Sequence, residues 1–89
     1  MISETDKSRI IEVSRKYGVK RILLFGSSAT GKEEPRDIDL AVEGLAPSAF
    51  FLFYGELITG LSKPVDLVPL DGKSRFESLI QREGLPLYG

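Results

Sequence analysis

The sequence predicts a small α/β (α+β) fold, a mixed β-sheet with helices packed on one face, and three observations carry that prediction. Helical amphipathicity occupies the first 17 of 89 residues. Three short apolar runs, at 19–25, 37–42 and 64–69, have the length and composition of strands. Helix-like segments separate the second run from the third and follow the third. The resulting order, α-β-turn-β-α-β-α, is read as one domain over 1–89.

Ser3 to Tyr17 reads as the first helix. Ser3 or Thr5 caps it, Glu4 and Asp6 suit its positive end, and Gly18 closes it. Ile10, Ile11, Val13, Ser14 and Tyr17 form its inward stripe. Val19 to Phe25 is a strand ending at Gly26, Ser27 to Gly31 a short helical turn, and Lys32 to Arg36 an exposed polar loop. Asp37 to Val42 is the second strand, broken by Glu43-Gly44. Pro47-Ser48 opens a second helix that runs to Thr59 and stops at Gly60.

That second helix carries Phe50, Phe51, Leu52, Phe53, Tyr54, Leu57 and Ile58, more apolar surface than one helix face buries. The surplus predicts a partner surface, on another protein or on a second copy of this chain. Pro64 to Pro69 is a third strand, placed near an edge by its prolines. Ser74 to Arg82 forms the last helix, with Phe76, Leu79 and Ile80 inward and Gly84 at its end. The apolar tail, Leu85 to Gly89, is expected to dock on the domain.

Composition removes several function classes. Hydrophobic content of 42% and charged content of 28% are those of an ordered globular protein. A formal net charge of −1 supplies no basic field, so a cationic nucleic-acid module and sequence-specific DNA binding are not expected. There is no cysteine and no histidine, which excludes disulfides, thiolate metal sites and imidazole acid–base chemistry. No apolar run spans a bilayer, and the first residues lack the features of a signal peptide. A cytoplasmic location without membrane contact is the expectation.

The chemistry that remains concentrates in residues 24–42. Leu24-Phe25 leads into Gly26-Ser27, and Asp37-Ile38-Asp39 follows about ten residues later. Alternation along a strand puts Asp37 and Asp39 on one side. Adjacent carboxylates repel unless a cation lies between them, and hard oxygen ligands suit Mg²⁺ or Mn²⁺ bound with a phosphate. A Gly-Ser turn admits close backbone approach to that phosphate. The blander alternative is a solvated face with each Asp paired to Lys or Arg. Together the two motifs favour a nucleoside-triphosphate site. Asp66, between Val65 and Leu67, is costly in an apolar strand unless paired, exposed or metal-bound.

Gly26-Ser27, the spacer, Asp37-Ile38-Asp39 and Asp66 resemble the DNA polymerase β-like nucleotidyltransferase superfamily, and in particular its minimal nucleotidyltransferase branch. The resemblance implies that Asp37, Asp39 and Asp66 are catalytic and ligate Mg²⁺, or Mn²⁺ in its place, with Asp66 as base toward the attacking hydroxyl. It implies that Gly26 and Ser27 bind the phosphates of ATP or another nucleoside triphosphate. Many members carry arginine shortly after Gly-Ser. Here Ser28, Ala29 and Thr30 stand there, which leaves Lys32 and Arg36, or the metals, to neutralise the triphosphate.

In this branch the nucleotidyltransferase is often paired with a helical HEPN-domain protein as the antitoxin of a ribonuclease. The resemblance thus implies transfer of a nucleoside monophosphate to a partner's hydroxyl. A docking module that neutralises its partner by binding alone is the alternative. Clustered, mutually repelling carboxylates favour the enzyme.

Overall fold

A computed structural model describes residues 2–29, 36–72 and 75–89, and for Ser27 and Ser28 the backbone alone. Among these residues the elements are α1 (Glu4–Tyr17), β1 (Arg21–Phe25), a 3₁₀ turn (Gly26–Ala29), β2 (Ile38–Glu43), a second 3₁₀ turn (Pro47–Ala49), α2 (Phe50–Gly60), β3 (Val65–Pro69), α3 (Arg75–Glu83) and β4 (Leu85–Tyr88). Local chemistry explains their ends. The Ser3 hydroxyl accepts the Asp6 N–H at 3.1 Å and caps α1. Gly18 closes it in the left-handed conformation, φ 65°, with its N–H donating to Arg15 and Ser14 carbonyls.

The four strands form one mixed sheet in the order β3-β2-β1-β4. β1 runs antiparallel to β2 and β4, whereas β2 and β3 are parallel. The prolines of the third run do lie at an edge. The docking of the tail takes a specific form: it is the opposite edge strand, where Pro86 is tolerated.

Alternation divides the sheet into two faces. Ile22, Leu24, Ile38, Leu40, Val42, Val65 and Leu67 point to one face and pack with Ile10 and Val13 of α1 and Phe53 and Leu57 of α2. Tyr17 meets Phe53 edge-to-face at 5.5 Å, and its hydroxyl donates to Glu56 at 2.5 Å. At the start of α1, the buried Asp6 carboxylate accepts the Ser62 N–H and hydroxyl at 3.0 and 2.5 Å. These bonds tie α1 to the segment that follows α2.

The expected packing of helices on one face describes α1 and α2. α3 lies against the other face, where Ile80 joins Leu23, Ala41 and Leu70. Phe76 and Leu79 do not point inward as expected: they are 46% and 43% exposed. The buried residue of the first turn of α3 is instead Glu77, whose carboxylate accepts the N–H groups of Asp71 and Gly72 at 2.6 and 2.5 Å. These bonds tie the first turn of α3 to the loop that follows β3. On α2 the surplus is real. Phe51, Leu52 and Ile58 are exposed, while Tyr54 is half-buried and donates to the Val65 carbonyl at 2.7 Å. Among the described residues no helix is long and apolar enough to cross a membrane.

Candidate active site

Register aligns the chemistry. Phe25 of β1 is the partner of Asp39 of β2, which is in turn the partner of Asp66 of β3. Register partners project to the same face, so these side chains form a row across the sheet at strand spacing, about 4.8 Å. Their face is the one opposite α1 and α2, because their neighbours Leu24, Ile38, Leu40, Val65 and Leu67 fill the core. Asp39 is half-buried and Asp66 exposed.

The Asp39 carboxyl is pushed above its ordinary value of 3.8, first by burial, then by the charges of Asp66 and Asp37. The site therefore concentrates negative charge in one place. Gly26 stands directly over it. Its φ of +64° is strained for any residue with a side chain, and an added Cβ would lie 2.5 Å from Oδ2 of Asp39. Glycine is required here for two separate reasons. It lets the 3₁₀ turn that contains Ser27 begin against the carboxylate.

The predicted residues thus divide. Asp39, Asp66 and Gly26 come together, and Ser27 follows in the same turn by its backbone. Asp37 is exposed one residue before the ladder begins, so strand pairing does not orient it, although Asp39 feels its charge. Among the described residues no three Asp, Glu, His or Cys side chains close around a common point. Arg36 is exposed at the entry to β2, and Lys32 lies outside the described residues. The chemistry of the donors fits a divalent cation: hard oxygens, one of them destabilised as an anion by burial and then by its acidic neighbours.

Sequence reasoning missed what flanks the row. Phe25, Gly26, Phe76, Leu79 and Glu83 line a cavity of about 390 Å³ between β1 and α3. Phe25 directly before the Gly-Ser turn was the available signal.

Residues 8–89 match the family model of polymerase β nucleotidyltransferases. The chain belongs to this family. No curated protein matches it. Among solved structures, this nucleotidyltransferase is similar to a chain of a toxin–antitoxin complex with AMP-PNP, at 30% identity and a TM-score of 0.76 over 93% of this chain and 73% of that one. A chain of the MntA–HepT toxin–antitoxin complex gives 27% and 0.73 over 98% and 73%. A chain from a tri-AMPylated Shewanella oneidensis HEPN toxin in complex with MNT antitoxin gives 30% and 0.67 over 94% and 70%.

Proposed function

We propose that this nucleotidyltransferase moves AMP from ATP to a hydroxyl of a HEPN-type partner, and so acts as the antitoxin of the pair. The observation that carries this reading is the Asp39–Asp66 pair held against the Gly26 turn in a chain of this family. The acceptor oxygen bonds to the α-phosphorus while the bond from that phosphorus to its bridging oxygen breaks, releasing pyrophosphate. The acceptor's proton goes to Asp66, the exposed end of the row. The Gly26-Ser27 backbone receives the phosphates, and Arg36 and Lys32 balance the charge of the outer ones. Mg²⁺, or Mn²⁺, held by Asp37, Asp39 and Asp66, would supply charge neutralisation of the triphosphate.

The similar structure that contains a tri-AMPylated HEPN toxin supports the acceptor class. The exposed Phe51, Leu52 and Ile58 support docking of a helical partner on α2. The test is transfer of label from ATP to a co-expressed HEPN-domain protein. Label in the α-phosphate should appear on the partner, label in the γ-phosphate should not, and Asp39→Asn should abolish transfer. Neutralisation of the partner that survives Asp39→Asn undiminished would establish the docking module instead.

A further inference from the structure

Asp66 sits on β3, an edge strand of the sheet, with β2 on its inner side. Alternation along the strand settles which backbone groups face outward. The Ile38 N–H donates to the Pro64 carbonyl at 2.8 Å, so Pro64 turns its carbonyl toward β2. Backbone groups of successive strand residues point to opposite edges. Val65, the register partner of Ile38, therefore turns its carbonyl to the outer edge, and Asp66 turns its N–H back toward β2. That carbonyl and that N–H belong to one trans peptide plane, the plane that leads into the Cα of Asp66.

Edge carbonyls are ordinarily left to water. Here the half-buried Tyr54 of α2 donates its hydroxyl to the Val65 carbonyl at 2.7 Å. The ring behind that hydroxyl is itself held, because Phe50, one turn back along α2, meets it edge-to-face at 5.8 Å. The peptide plane is thus gripped from both sides, by Tyr54 at its carbonyl and by the β2 ladder at its N–H. The Asp66 side chain is exposed on the face away from α2, so its aim follows from the backbone that carries it.

We propose that Tyr54 is a positioning residue of the transfer reaction. It fixes the Val65–Asp66 peptide plane, and with it the direction in which the Asp66 carboxylate meets the incoming hydroxyl. The assignment rests on the reading of Asp66 as proton acceptor. A base must lie within hydrogen-bond reach of the proton it takes, and misplacement by about 1 Å costs on the order of a hundred-fold in rate. The phosphates sit at the Gly26 turn, against β1 and β2, which Tyr54 does not hold. Loss of its hydroxyl should therefore act on kcat and spare KM for ATP.

The test is Tyr54→Phe, which keeps the ring against Phe50 and removes only the hydroxyl. Transfer of AMP from ATP to the HEPN-type partner should fall roughly ten-fold or more in kcat, with KM for ATP within about two-fold. Amide hydrogen exchange of the metal-free chain reads the same peptide plane without any chemistry. In Tyr54→Phe the Asp66 N–H should exchange about five-fold faster relative to that of Leu24 in β1, the worth of one ordinary hydrogen bond. Tyr17→Phe removes a comparable hydroxyl bond, the one to Glu56, and should leave both kcat and the exchange ratio at their wild-type values. Wild-type kcat in Tyr54→Phe would overturn the positioning role, and so would a lower kcat without faster Asp66 exchange. A Tyr54→Phe chain that no longer folds would make the hydroxyl structural and overturn it too. Absence of transfer by the wild type itself would overturn the reading of Asp66 as base, and the positioning role with it.

Discussion

On the face covered by α1 and α2, thirteen buried apolar residues close over the sheet; on the α3 face four do, among the described residues. The first face holds Phe53, Ile10 and Leu57 fully out of water. The second leaves Asp39 half-buried and Asp66 exposed at the end that α3 does not cover. A close carboxylate pair sealed under a helix would cost several kcal/mol in desolvation. Open to solvent, the same pair is tolerated and is accessible to a cation and a triphosphate. Asymmetry of this kind lets a small sheet be stable on one side and chemically frustrated on the other.

The largest effect should separate the two faces directly. Phe53→Ala removes a fully buried ring and should cost about 3–5 kcal/mol, much of the stability of a small domain. Ile80→Ala, on the thinner face, should cost about 2 kcal/mol, the low end for such a truncation. Urea melts of the two variants decide this. Equal losses would mean that α3 completes a second core and that the faces do not differ.

A smaller change acts where the faces meet the turn. Gly26→Ala should destabilise the fold by about 1–2 kcal/mol, the cost of a left-handed alanine. It should also displace the Asp39 carboxylate and abolish Mg²⁺-ATP binding. Retained binding would show that the carboxylate and the turn are not coupled.

The smallest effects have opposite signs with pH. Asp39→Asn should raise the metal-free melting temperature by about 2–4 °C at neutral pH, the equivalent of about 0.5 kcal/mol in a domain of this size. Because the folded carboxyl titrates above 3.8, its ionised form opposes folding at neutral pH. That penalty is absent below 3.8 and sets in as pH rises through the folded value, so the variant's advantage should vanish on acidification. Glu56 behaves in the other direction. Its hydrogen bond from Tyr17, and then the one from Lys16, hold it below 4.5, so its contribution is present above 4.5 and lost as pH falls through the folded value. Glu56→Gln should therefore lose stability at neutral pH and converge on the parent in acid. A destabilised Asp39→Asn would mean that the carboxylate gains more from its surroundings than it loses to its neighbours.

Much of the scaffold was legible locally. Ser3 and Gly18 bound α1 because caps are short-range hydrogen-bond problems, and the stripe of Ile10, Val13 and Ser14 marks its buried side. The second and third apolar runs become β2 and β3, and the prolines of β3 place it at an edge. The absence of histidine and cysteine, together with Gly26-Ser27 and Asp37-Ile38-Asp39, narrowed the chemistry to carboxylates and a recruited cation.

Other features depended on which distant segments meet. Nothing within reach of Asp66 in the sequence says that it lies beside Asp39; the parallel register of β2 and β3 does. Pro86 obscured a tail strand that exists because β1 offers it an unpaired edge. The helical period of Phe76, Leu79 and Ile80 marks one apolar side of α3, yet only Ile80 is buried against the sheet, while Phe76, in contact with Phe25, and Leu79 stay nearly half exposed. Sequence by itself determined where the chain folds locally and which atoms could do chemistry. Tertiary structure decided which of those atoms share a face, because strand register and helix placement are set by burial summed over the whole domain.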